Sequence, residues 1–332
     1  MAISIDDIKK LRAMTGAGLA DVKKALTEAE GDFDKAKELL RERGLAIAAK
    51  RSDRETSNGC VLVKSVDGFA AMIALKCETD FVANGADFIA LTQSILDAAI
   101  AAKAKDVEAV KELTLADGQK VQDAVTQRSG ITGEKMELDG YLTLEGENIE
   151  VYNHMGKNTL CTMVQTNKPA AEQGHLVAMQ VAAMKPVALD AQSIDPKILD
   201  EEYKTAIEKS KLEQVQKFVD MKLKKAGLNP NLVDSEDHIE SNMSKGWLTQ
   251  EQADEARKII ADAKVEGEAN LKMPMIEGIA KGRVEKFKKE NCLVDQEFQF
   301  GDGDKATVSQ WLAQQDKELS IVDFKRFTLV AE

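Results

Sequence analysis

Six consecutive apolar residues, Ala70-Ala71-Met72-Ile73-Ala74-Leu75, stand between an Asp67-Gly68 dipeptide and a polar connection, Cys77-Glu78-Thr79-Asp80-Phe81-Val82-Ala83-Asn84. A run this short and this uniformly apolar reads as a buried strand. Asp67-Gly68 is a favoured hairpin dipeptide, which makes Val61-Leu62-Val63 the partner strand. After the connection, Phe88, Leu91, Ile95, Ala98 and Ala99 recur at helical spacing over Asp87 to Ala102. The stretch therefore has to be strand, hairpin, strand, connector and helix. On the connector an acid and an aromatic ring stand side by side. Connections lie at the surface and often carry function. A loop aromatic more often packs inward, and Asp80 could serve nearby backbone amides, so residue type alone leaves the direction of Phe81 open.

The same plan occurs a second time. Ile149-Glu150-Val151-Tyr152 and Leu160 to Val164 flank a turn at Met155-Gly156-Lys157, and a helix follows from His175 to Met184. Gln165-Thr166-Asn167 stands where Glu78-Thr79-Asp80 stood, with Asn167 and Lys168 in place of the acid and the ring. Only the first connector keeps the distinctive chemistry. The pattern predicts an α+β fold with two repeated subdomains, each with a small antiparallel sheet. Residues 54–145 form the first. Residues 146–195 and 288–332 form the second. Val107 to Leu113 and Gln119 to Gln127 read as weaker helices, Gly130-Ile131-Thr132-Gly133 as a turn and Met136 to Leu144 as a strand. Cys292 to Phe300 and Ile321 to Ala331 read as strands completing the second sheet, with Val308 to Gln315 helical between them.

Two helical regions accompany these subdomains. Residues 1–53 read as a three-helix bundle and a charged linker. Ser4 is the first cap, with Ile5, Ile8 and Leu11 behind it. Leu19, Val22, Ala25 and Leu26 line the second helix, and Phe33, Ala36, Leu39 and Leu40 the third, with Gly44 expected to end it. A bundle this small buries a modest core, so docking is an ordinary role for it. The linker from Ala48 to Asn58 mixes both charges and reads as a solvated connector. Residues 196–287 carry apolar stripes in a charged background: Leu199 to Leu223 with a break near Ser210, Leu248 to Ala263, and Ile276 to Phe287. They read as a helical hairpin inserted into the second subdomain.

Composition removes several function classes. At 332 residues more than one domain is expected. A net charge of -12 argues against nonspecific nucleic-acid binding, which needs Lys and Arg to neutralise phosphate. No apolar run approaches the roughly 18 residues of a membrane span, and the amino terminus lacks a signal-peptide pattern, so a cytoplasmic protein is expected. Cys60, Cys77, Cys161 and Cys292 form no CxxC pair and read as free buried thiols. His154, His175 and His238 are too scattered for a metal site. There is no GxxxxGK[ST], no strand-linked GxGxxG and no spacing that suits a nucleophilic triad. Gly301-Asp302-Gly303-Asp304 lacks the later ligands of a calcium loop and reads as a turn. No cofactor is expected. A multidomain binding protein fits better than an enzyme. An adaptor acting through the first bundle, and an enzyme whose site the sequence does not reveal, stay open.

Thr79-Asp80-Phe81-Val82 after Leu75-Lys76-Cys77-Glu78 resembles the signature of the bacterial translation elongation factor Ts family. Leu11-Arg12-Ala13-Met14-Thr15-Gly16-Ala17-Gly18-Leu19-Ala20-Asp21-Val22-Lys23-Lys24-Ala25-Leu26 resembles that family's amino-terminal signature. Tyr152-Asn153-His154 and Ala178 to Pro186 look like further family blocks. The resemblance covers most of the chain and is poorest from about Ala226 to Met273. It implies a ubiquitin-associated-like bundle and a partner, the GTPase elongation factor Tu, whose GDP is released without covalent chemistry. It implies that Thr79, Asp80, Phe81 and Val82 make the exchange contact, with Asp80 disturbing a Mg²⁺ and phosphate site and Phe81 inserting into the partner. Lys9, Leu19 and Lys23 of the bundle, with Thr132, Gly133 and His154, would dock. The family often has an apolar residue where Thr132 stands. A coiled-coil hairpin supports dimers or partner contacts in that family, so a homodimer through residues 196–287 is a further expectation, although the block here is longer. Some members continue into a small helical module, which this chain is expected to lack.

Overall fold

Ser4 and Asp7 cap the first helix, α1 (Ile5–Thr15), against each other: the Ser4 hydroxyl accepts from the Asp7 amide at 3.0 Å, and the Asp7 carboxylate accepts from the Ser4 amide at 3.1 Å. The computed structural model describes residues 3–301 and 305–330. It divides into two units, Met1–Leu189 with Gln296–Glu332, and Asp190–Asp295. In the first unit, α1 is followed by α2 (Leu19–Glu28) and α3 (Phe33–Ala49). Leu11, Val22, Ala25, Leu26 and Ala36 are fully buried in the bundle's core. Gly44 does not end the third helix as expected. The helix runs five residues further, because Gly44 faces Gly130 of the core across a helix crossing.

The expected hairpin forms at Asp67-Gly68, with both residues at positive φ, and antiparallel pairing of β1 (Asn58–Val66) with β2 (Phe69–Cys77) sets Leu62 opposite Ile73. Between β2 and its other neighbour, β3 (Met136–Glu145), lie α4 (Asp80–Ala83), α5 (Ala86–Ala102), α6 (Val107–Lys111) and α7 (Val121–Thr132). β2 is apolar from Phe69 to Leu75 because both of its faces are covered there. Phe69, Ala71, Ile73, Leu75 and Cys77 share a core with Phe88, Ile95, Leu96 and Ala99 of α5. Ala70, Met72 and Ala74 share another with Cys161 and Met163 of the second sheet. That sheet repeats the first: β4 (Ile149–Asn153), β5 (Leu160–Thr166) and β6 (Ile321–Thr328) are ordered β4-β5-β6, and α8 (Ala171–Met184) follows its hairpin. In each repeat the second strand is central and the third returns beside it after the helices. The sheets approach closely at Gly140, where a methyl group would come within 2.5 Å of the Phe327 ring.

The second unit holds α9 (Pro196–Lys225), α10 (Glu236–Ser244), α11 (Gln250–Ala269) and α12 (Met273–Asn291). Asp195 caps α9 and Pro196 occupies its first turn, where its missing N–H costs nothing. The helix does not break at Ser210. The buried Ser210 hydroxyl donates to the Ala206 carbonyl at 2.6 Å, so its polar group is satisfied within the helix. Val215, Val219 and Leu223 form a core with Ile239, Leu248, Ala253 and Ala256. Ion pairs join α9 to α11 (Lys222–Glu266, 2.8 Å) and to α12 (Glu213–Arg283, 2.6 Å). The short α10, capped by Ser235, was not legible because Ile239 is its one fully apolar buried position.

Back in the first unit, α13 (Val308–Gln315) is capped by Thr307 and Gln310. Two expected elements differ. Residues 130–133 are not a turn: α7 continues through Thr132 and Gly133 caps it at φ 73. Cys292 to Phe300 is not a strand. Leu293–Asp295 form a 3-10 turn, and Phe298 stacks on Trp311 at 4.1 Å between centroids instead of joining the sheet. Asp302, Gly303, Asp304 and Ala331, which fell within expected elements, lie outside the described residues.

Candidate functional site

Cys77 ends β2 in the core, and the chain turns outward at once. Thr79 is extended (φ -121) and its hydroxyl accepts from the Val82 amide at 3.3 Å, capping the single turn α4. The Asn84 side-chain amide donates to the Asp80 carbonyl at 2.8 Å and closes it. One turn of helix points neighbours in different directions. Ala83 is buried and Val82 packs against the core, while Thr79 and Asp80 are exposed. Phe81 is 87% exposed, so the ring faces outward and the inward arrangement usual for a loop aromatic does not occur. Among the described residues no side chain hydrogen-bonds or ion-pairs with the Asp80 carboxylate.

Two carboxylates hold the turn from beneath. Glu134 accepts from the Glu78 amide at 3.2 Å, the Thr79 amide at 3.1 Å and the Thr79 hydroxyl at 2.6 Å. Glu78 reciprocates, accepting from the Lys135 amide at 2.6 Å and from Arg54 Nη1 at 2.9 Å, with Arg51 at 3.9 Å. The Lys135 amide is the largest cause holding the Glu78 carboxyl below its ordinary value; burial opposes it, and the Arg54 and Arg51 guanidiniums add to the lowering. The connector to the bundle is therefore not simply solvated. Arg51 is half-buried, Arg54 pairs with Glu78, and the Arg54 carbonyl accepts from Lys135 Nζ at 3.0 Å. Beneath the turn, the Cys77 thiol donates to the Thr79 carbonyl at 3.2 Å, and burial pushes it up to about 12. The four cysteines are all free and buried.

The remaining candidates fall into three groups. Lys9 is exposed on α1, and Leu19 and Lys23 are exposed one turn apart on α2, so the latter two share a face. Thr132 and Gly133 lie beside the α4 turn through Glu134. The Thr132 hydroxyl accepts from the Glu134 amide at 3.2 Å, and Gly133 sits in the left-handed region against Arg51. His154 is on the second sheet's hairpin. Its ring meets Tyr152 edge-on, with Nδ1 3.2 Å from the Tyr152 hydroxyl. Neither His154 nor the bundle residues share a hydrogen bond with the α4 turn. Glu134 was missed because nothing in sequence separates it from other surface acids; the Gly133 that precedes it was the one available signal.

Among the described residues no cluster of His, Cys, Asp and Glu is placed to hold a metal ion, and no helix is long and apolar enough to cross a membrane. The sequence model of the family elongation factor TS matches residues 78–331. The chain is 58% identical over 333 residues to elongation factor Ts of Bacteroides fragilis, covering all of both proteins. It is 57% identical over 332 residues to elongation factor Ts of Parabacteroides distasonis and 41% over 333 residues to that of Porphyromonas gingivalis, again end to end. On the full length of these matches, the chain belongs to the elongation factor Ts family.

Proposed function

We propose that this chain is a guanine-nucleotide exchange factor of the cytoplasm that binds the GTPase elongation factor Tu and speeds its release of GDP. The observation that carries the proposal is the 87% exposure of Phe81 on a turn whose base is fixed by hydrogen bonds. Leaving a Phe outside forgoes about 1.5–3 kcal/mol of burial. A ring held out in this way, next to a carboxylate with no side-chain partner among the described residues, suits insertion into another protein.

The chemistry is coupling and not bond making. A partner that binds the distorted nucleotide site more tightly must weaken nucleotide binding by the same factor. Asp80 supplies a negative charge that competes with phosphate for Mg²⁺, and Phe81 separates the elements that hold the nucleotide. Thr79 and Val82 fix the turn from its two ends. Lys9, Leu19 and Lys23 dock the bundle on the GTPase, and Thr132, Gly133 and His154 extend the contact. The helical unit Asp190–Asp295, with Leu212 and Val265 both 71% exposed, is where a homodimer contact would form. An adaptor acting through the bundle alone would leave the exposed Phe81 without a purpose. The deciding measurement is release of fluorescent GDP from the GTPase with wild type and Phe81→Ala. Slower release at an unchanged urea midpoint is expected. A wild-type release rate would sink the proposal.

A further inference from the structure

We infer that Glu134 is the positioning residue of the α4 turn: it sets the direction in which Asp80 and Phe81 leave the protein surface. The inference rests on the exchange role proposed above. α4 has four residues, and a single helical turn does not hold itself, because nucleation fixes more dihedrals than its hydrogen bonds repay. Something outside the turn has to hold it. The Glu134 carboxylate receives both backbone amides and the one hydroxyl of the two residues that precede Asp80.

The Thr79 hydroxyl is a relay in this arrangement. It donates its hydrogen bond to Glu134 Oε1 and accepts from the Val82 amide. Removing Glu134 therefore frees the cap as well as the amides. Glu134 is itself fixed. Its amide donates to the Thr132 hydroxyl at 3.2 Å, and its carbonyl accepts from the buried Ser129 hydroxyl at 2.5 Å. The post stands on the C-terminus of α7, a helix of the core. Val82 and Ala83 anchor the turn by apolar packing on the core, whereas Glu134 holds it through hydrogen bonds.

The test is Glu134→Ala in the full chain, with Glu134→Gln as the variant that keeps one acceptor oxygen. The maximal GDP release rate should fall by about tenfold, within the usual range for coupling between linked sites. The concentration giving half that rate should stay within about twofold, because the docking residues remain. Glu134→Gln should recover part of the loss. In a Phe81→Ala background the same change should add little further slowing. A wild-type rate for Glu134→Ala while Phe81→Ala is slow overturns the positioning role, as does full additivity of the two changes. Amide hydrogen exchange over residues 78–84 reads the turn without the partner. Faster exchange at Thr79 and Val82 in the Glu134 variants is expected, and unchanged protection overturns the inference whether or not the exchange role holds.

Discussion

Gly44 of α3 and Gly130 of α7 meet backbone to backbone, and the contact is asymmetric. A methyl group on Gly44 would lie 3.6 Å from the Gly130 Cα, whereas one on Gly130 would overlap the Gly44 backbone. This crossing seats the amino-terminal bundle on the core. Beside it lies a cleft of about 280 Å³ lined by Thr15, Gly18, Lys24, Arg43 and Ile131.

The asymmetry predicts opposite outcomes for two similar substitutions. Both glycines are inside helices, where Ala gains about 1 kcal/mol of helix propensity. Gly44→Ala collects that gain at an ordinary contact distance and should melt at or above wild type. Gly130→Ala must push the helices apart and should loosen the bundle's seat. Thermal melting and limited proteolysis in the 50–57 connector read both. A Gly130→Ala protein that resists protease and melts like wild type would show that the crossing tolerates separation.

Phe81 and Phe88 are seven residues apart and should behave oppositely in stability. Phe88 is fully buried against β2, and Phe88→Ala should cost about 3–5 kcal/mol. Phe81→Ala removes an exposed ring and should change stability by less than about 1 kcal/mol. Asp80→Ala should be equally mild. Urea titrations of the three variants decide it, and a loss of several kcal/mol for Phe81→Ala would place the ring in the core.

What the sequence revealed and what it hid divide along one line. Local pattern exposed the β2 run, the Asp67-Gly68 hairpin, the duplicated plan and the polar connector, because each is written in consecutive residues. Gly44 and Gly130 misled because their reason is a partner some 90 residues away, and a glycine at a helix end looks the same as one at a crossing. Ser210 misled because its hydroxyl is satisfied inside its own helix. Phe298 alternates like a strand residue but stacks on Trp311. The direction of Phe81 depends on Glu134, which lies 53 positions later, so the candidate site was visible as residues and hidden as geometry.

The Glu78 clasp should show in the pH dependence of stability. Its carboxyl is held below the ordinary value in the folded chain. The stabilisation is thus present above the unfolded value of about 4.3 and is lost as pH falls through the lower folded value. At pH 7, Glu78→Gln should cost on the order of 1 kcal/mol, because a charged acceptor becomes a neutral one. Little of that comes from Arg54, whose side chain is 53% exposed. The gap between wild type and variant should narrow as pH falls from neutral to below the unfolded value of about 4.3. Urea midpoints across that range check it, and a constant gap would assign the loss to shape instead of charge.

The helical unit should be removable without unfolding the rest. Asp190–Asp295 has its own core of Val215, Val219, Leu223, Ile239 and Leu248. The two ends of the first unit at this junction are close. Gln296 is buried, and its side-chain amide donates to the Met184 carbonyl at the end of α8 at 3.1 Å. A short Gly/Ser linker can therefore join Leu189 to Gln296. The chain has two tryptophans, and the excision removes Trp247 while leaving Trp311, which is stacked on Phe298. Fluorescence of the shortened protein then reports the first unit alone. Its urea unfolding should remain a single cooperative transition, within about 1 kcal/mol of the Trp311 transition in a Trp247→Phe full-length chain. GDP release at saturating protein should also persist, since Asp80 and Phe81 stay in place. Loss of the cooperative transition would mean that the helical unit supplies part of the first unit's core. A cooperative fold with no exchange would instead assign the helical unit a share of the partner contact.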